Sequence, residues 1–146
     1  MNLKKSKTKM NISQAIRYGD PGILRANEHE ILYDVELMLD QCSIENENYI
    51  TYWIACHRDK DIATEMFEVF MNTCSTALSL HKYEEIMDLY SYPTMVGAIA
   101  SENTNIIEYV MGYQGKDALV EEIYVQYGEE EYWPESLLTW YRRTFS

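Results

Sequence analysis

The chain has 146 residues, 47% of them hydrophobic, and sets 24 acidic against 12 basic side chains for a formal net charge of −12. That length is one ordinary domain with room for a real core. No apolar run approaches the roughly 18 residues that a membrane span requires, and the charge opposes binding to nucleic acid phosphates or anionic lipid.

The charge is also uneven. Lys4, Lys5, Lys7, Lys9, Arg17 and Arg25 all precede residue 26, whereas between residues 26 and 141 Arg58, Lys60, Lys82 and Lys116 face 23 acids. Residues 1–10 therefore read as a disordered basic tail, and residues 11–146 as a single acidic α-helical domain. No apolar stretch of about 7 to 15 residues follows the basic start, so a secretory signal is not expected and a cytoplasmic setting is. Cys42, Cys56 and Cys74 are odd in number, form no CxxC and lie on or beside apolar stripes, which predicts buried free thiols.

In chain order, a short helix Ile12 to Tyr18 ends at Gly19, and Asp20-Pro21-Gly22 reads as a turn. Asn27 followed by Glu30 resembles a capping box for a helix whose stripe is Ile31, Val35, Met38 and Cys42. Tyr49 to His57 is predicted helical, although YITYWI also contains strand formers, because an isolated strand would have no partner. The stretch 61–80 carries Ile62, Met66, Val69, Phe70, Thr73, Ala77 and Leu80 at helical spacing, with Asp61 as its cap. It is expected to be the longest and most buried helix. Tyr83 to Tyr90 is predicted to stop at Pro93, and Thr94 to cap a helix through about Ser101. Ile106 to Tyr113 continues helical. Gly112, Gly115 and Lys116 then break the chain before a helix over 119–127, where IYVQY also suits a strand. Pro134 opens a last helix through about Thr144. The fold expected is all-α: seven or eight helices built from antiparallel helical hairpins.

Two hairpins are alike in residue type. TYWIACHRDKDIATEMFEVF (51–70) and TMVGAIASENTNIIEYVM (94–111) each run threonine, apolar residues, a small residue, a polar turn and an apolar helix, and AIRYGD (15–20) repeats the turn. This resembles a degenerate ankyrin repeat, although the spacing is longer than about 33 residues and no TPLH start is present. The resemblance implies a stack of helix pairs that binds another protein as an adaptor.

No sequence motif assigns chemistry. HEILYD (29–34) lacks the second histidine of a zinc helix, adjacent Cys56 and His57 point about 100 degrees apart on a helix, and no phosphate-binding glycine loop occurs. No metal or cofactor is expected. An enzyme with a dispersed site would leave no motif and stands as a further alternative. The remaining resource is aromatic. In EIYVQYGEEEYWPE the acids Glu121, Glu122, Glu129, Glu130, Glu131 and Glu135 surround Tyr127, Tyr132 and Trp133, with no basic residue among them. Like charges repel, so such a cluster is either well solvated or matched to a counter-charge, and Tyr and Trp are common in interface centres. The expectation is a non-enzymatic binder of the inhibitor or immunity type. It would dock those nine residues on a basic protein such as a nuclease, with no direct contact to nucleic acid or membrane.

Overall fold

The computed structural model describes residues 11–146; the tail expected over residues 1–10 lies outside the described residues. Among the described residues the chain forms eight α-helices and no strand. They are α1 (Ile12–Tyr18), α2 (Pro21–Ala26), α3 (Glu28–Gln41), α4 (Ile50–Cys56), α5 (Lys60–Ala77), α6 (Leu80–Ala100), α7 (Thr104–Tyr127) and α8 (Glu135–Phe145), with short 3-10 turns at Asn46–Asn48 and Glu130–Tyr132. Both segments with strand-like composition are helical, the first over Ile50–Cys56 and 119–127 throughout. No helix among the described residues is long and apolar enough to cross a membrane.

Three turns share one design. Ala15, Ala55 and Ala98 each lie near the end of a first helix, and Asp20, Asp59 and Asn103 cap the second. Their side chains accept the amides of Ile23, Ile62 and Ile106 at 3.0, 3.1 and 3.1 Å. Such a cap satisfies one of the amides that a helix start leaves without an intrahelical partner. In the first and third turns a left-handed residue, Gly19 (φ 72°) or Glu102 (φ 59°), precedes the cap, and the cap amide returns to the Ala15 or Ala98 carbonyl at 2.8 Å. The middle turn is one residue shorter and has no left-handed residue.

The helix pairs stack in register. The Thr51 and Thr94 hydroxyls are hydrogen-bonded at 2.6 Å in a buried site, Ser101 Oγ donates to the Ala55 carbonyl at 2.5 Å, and Asn103 Nδ2 donates to the Lys60 carbonyl at 3.2 Å. Gly97 makes this closeness possible, since a Cβ there would stand 2.6 Å from the Tyr52 carbonyl oxygen. α1, α4 and α6 thus form one row and α2, α5 and the first half of α7 a second, with α3 laid across α5 and α6.

α7 is two helices in practice. At Gly115 the backbone is not helical (φ 83°, ψ 164°). Before the break Gln114 Nε2 bonds Ser91 Oγ at 2.5 Å. After it, the Tyr92 hydroxyl donates to Glu122 at 2.8 Å, Gln126 Nε2 to the Val96 carbonyl at 3.0 Å and the Tyr127 hydroxyl to the Ile99 carbonyl at 2.9 Å. Both halves therefore run along α6 in opposite directions, and the second half joins the row of α1, α4 and α6. α8 closes the other row: Trp140 Nε1 donates to Glu108 at 2.8 Å, and the Lys116 ammonium lies 5.0 Å from the Phe145 ring centre. Each apolar stripe is buried between the rows, around Met66, Phe67, Phe70, Tyr90, Met95, Ile106 and Ile123.

Several sequence expectations are corrected. The helix over 61–80 is α5, Lys60–Ala77. It is shorter than α6 and carries fewer buried residues, because Leu78 leaves the helix and Ser79 caps α6 through the Lys82 amide. Asp59 caps α5 in place of Asp61. Pro93 does not end a helix: it is buried inside α6, where Thr94, expected as a cap, donates instead to the Tyr90 carbonyl at 2.7 Å. Tertiary burial there outweighs the lost amide bond. Asp20-Pro21-Gly22 starts α2, with Asp20 as cap and Pro21 in the first turn. Asn27 and Glu30 form no capping box, because Asn27 is buried at the α2–α3 joint and its amide donates back to the Ile23 carbonyl at 2.8 Å. Of the cysteines, Cys74 is buried and Cys56 half-buried, but Cys42 is exposed at the left-handed end of α3. Burial pushes the Cys74 thiol up to about 12.

A further polar contact links α6 to α3. The Tyr90 hydroxyl donates to Asp34 Oδ2 at 2.9 Å, and the Tyr90 ring meets Tyr49 edge-on at 5.0 Å. Burial raises the Asp34 carboxyl above its usual 3.8, a rise that the Tyr90 bond partly offsets. Two outcomes follow. Gly97→Ala should cost about 1–3 kcal/mol in urea unfolding, since the obstruction is backbone and cannot turn aside. Asp34 holds its proton more tightly folded than unfolded, so its contribution is fullest below the unfolded value and is lost as pH rises through the folded one. Asp34→Asn, which keeps an acceptor for Tyr90, should therefore remove part of the downward drift of stability above about pH 4, read as urea midpoints across pH.

Candidate functional site

The acidic, aromatic segment falls at the last helix pair. Along the second half of α7, Leu119 and Ile123 are fully buried, so Glu121 and Val125, two residues either side of Ile123, face away from the core. Tyr124 and Val125 are 53% and 69% exposed. Gly128 (φ 85°) ends the helix, and the 3-10 turn Glu130–Tyr132 then lifts Tyr132, 69% exposed, beside it. A Cβ on Gly128 would lie 3.9 Å from the Tyr132 ring.

The nine residues expected to bind separate into three kinds. Glu121, Glu131 and Glu135 are exposed, form no ion pair among the described residues and stand with exposed Tyr132 as open surface. Glu122, Glu129 and Glu130 are engaged. Glu122 accepts from Tyr92 and from Gln126 Nε2 (3.0 Å), Glu129 accepts from the Tyr124 hydroxyl at 3.3 Å, and Glu130 pairs with Arg142 at 3.1 Å. That ion pair is exposed at both ends and so contributes little. Burial and the Glu122 bond push the Tyr92 phenol up to about 12.

Tyr127 and Trp133 belong to the third kind, held by contacts inside the domain. The Tyr127 hydroxyl is occupied by the Ile99 and Ala100 carbonyls, fastening α7 to the end of α6. Trp133 is turned inward at 8% exposure; its indole donates to the Gly128 carbonyl at 2.9 Å and its ring meets Tyr141 edge-on at 5.3 Å. A tryptophan next to a helix-opening proline can fill the gap beneath a turn, and here it does. Exposed Tyr92, bonded to Glu122, and exposed Tyr124 and Val125 accompany the acids. The alternation of Leu119 and Ile123 with Glu121 and Val125 on a helical wheel was the available signal for Val125; Tyr92, from a different helix, had none.

Among the described residues no group of three or more His, Cys, Asp or Glu is placed to hold a metal ion. The surface offers carboxylates beside phenol and valine, suited to contact with cationic and apolar groups. A model of the family of unknown function DUF5903 matches residues 11–142. No curated protein and no solved structure matches the chain.

The division into open and inward residues is directly measurable. Trp133→Ala should cost about 3 kcal/mol in urea unfolding through lost burial and a cavity, whereas Tyr132→Ala should stay within about 0.5 kcal/mol.

Proposed function

From the premise that the chain belongs to the DUF5903 family of unknown function, we propose that it is a non-enzymatic protein-binding protein, of the inhibitor or immunity type, that docks on a basic partner in a cytoplasm. The observation that carries this reading is the last helix pair, where Glu121, Glu131 and Glu135 stand without a cation beside exposed Tyr124, Val125 and Tyr132. Carboxylates steer a basic partner into contact, and the apolar body of tyrosine gives the desolvated centre that a purely charged patch lacks. A nuclease or another nucleic-acid-binding protein has a surface of the required sign, and covering it would occlude its substrate.

A second reading, a helical-repeat adaptor of ankyrin-like type, is favoured by the stacked pairs with their Thr51–Thr94 joint. It places binding on the open side of the row of first helices, where Tyr92 is also exposed. The two readings differ in salt dependence. A partner captured from the native host should associate with the Glu129→Lys, Glu130→Lys, Glu131→Lys variant about tenfold more slowly at low salt than with the unaltered chain, and with a flatter salt slope. An unchanged rate and slope would leave the patch as solvated surface and move the binding site to the row of first helices.

A further inference from the structure

At the opposite end of the same row, α1 and α4 leave a half-open groove of about 510 Å³. Its apolar wall is Ile16, Ile50 and Trp53, and its polar positions are Ser13, Arg17, Cys56 and His57. In a chain with 24 acidic residues, the described residues of this lining include a guanidinium and an imidazole but no carboxylate. Trp53 is held in place while 53% exposed, because its indole N–H donates to the Glu47 carbonyl at 2.8 Å. His57 is fixed as well: its Nδ1 accepts the Asp59 amide at 3.1 Å, so the neutral ring carries its proton on Nε2 as a donor. Its Nε2 edge packs on Gly19, where a Cβ would stand 2.9 Å from Nε2, so His57 serves as a fixed wall of the groove. Burial pushes the Cys56 thiol up, which leaves it a neutral part of the wall.

We propose that this groove is a binding site for a small organic anion with an apolar body, such as an aromatic or alkyl carboxylate or sulfonate. The volume is that of a small-molecule site, and such sites combine an apolar lining with a few fixed polar groups that orient the ligand. The indole and the two isoleucines cover the apolar body, while the Arg17 guanidinium meets the anionic head. The net negative charge of the chain opposes binding of such a molecule in general, and the groove sets a cation beside apolar area. The proposal is independent of the acidic surface at the last pair.

The probe is 8-anilinonaphthalene-1-sulfonate, titrated into the full-length folded chain and compared with uncharged N-phenyl-1-naphthylamine. The sulfonate should bind at one site, more tightly than the uncharged probe. It should also quench the red edge of tryptophan emission, which Trp53 dominates because Trp133 and Trp140 are buried. Arg17→Glu should weaken the sulfonate about tenfold or more and leave the uncharged probe unchanged. Trp53→Ala should weaken both, with cooperative unfolding retained as the check on the fold. Equal affinity for both probes, or an affinity untouched by Arg17→Glu, would overturn the proposal. So would an affinity that follows Lys4, Lys5, Lys7 and Lys9→Ser instead.

Discussion

The close approach of α4 and α6 is the contact on which the rest of the arrangement depends. Two helices can lie this near only where side-chain volume is absent, and Gly97 provides that absence against the Tyr52 carbonyl. Polar groups brought together at such a joint must find partners, because an unpaired buried donor or acceptor costs more than a typical hydrogen bond contributes. Here Thr51 pairs with Thr94, Ser101 with the Ala55 carbonyl, and Asn103 with the Lys60 carbonyl. Once that joint sets the direction of α6, the two halves of α7 follow along it, and the acidic surface is carried to the end of the row.

Much of this was legible in the sequence, and the reasons are local. Of the stripe expected on α5, Met66, Val69, Phe70 and Thr73 are buried, whereas Ile62 is half-buried and Ala77 and Leu80 are exposed because α5 ends at Ala77; Ala63, Phe67 and Cys74 fill the buried face instead. Gly115 and Gly128 mark real breaks, both at positive φ, while Gly112 stays helical. The repeated turn could be seen in AIRYGD and in the two longer hairpins. What failed were readings in which a residue's intrinsic tendency met a tertiary demand. Pro93 terminates helices in isolation but is tolerated in α6, where it is buried and the neighbouring Thr94 hydroxyl bonds back to Tyr90. Asn27 has the chemistry of a cap, yet the tight α2–α3 joint turns its amide to the preceding helix. In the site, the charges were readable and the orientation was not: Trp133 and Tyr132 are adjacent in sequence, but one is buried under the turn and the other exposed on it.

The abundance of tyrosine gains a physical reason beside the shortage of cations. Glu68 accepts from Tyr109, Glu122 from Tyr92, Glu129 from Tyr124 and Asp34 from Tyr90, and Glu108 takes the Trp140 indole. Among the described residues a single ion pair, Arg142–Glu130, accompanies these contacts. Neutral donors fix a carboxylate in place without cancelling its charge. The domain thus keeps ordered acids and retains their outward field, a combination that lysine or arginine partners would not allow.

The reversal at Gly115 gives the molecule a different kind of boundary. Nothing lies within 4 Å of the position a Cβ would take there, so the turn rests on backbone freedom rather than on packing. Residues 116–146 adhere to the earlier pairs as the terminal unit of a one-dimensional row, through neighbour contacts alone. Such a unit opens with its own free energy, below that of global unfolding. Amide exchange after Gly115 therefore reports adhesion of that end unit, while exchange at Ile106 and Ile107, on the same nominal helix, reports the cohesion of the whole stack.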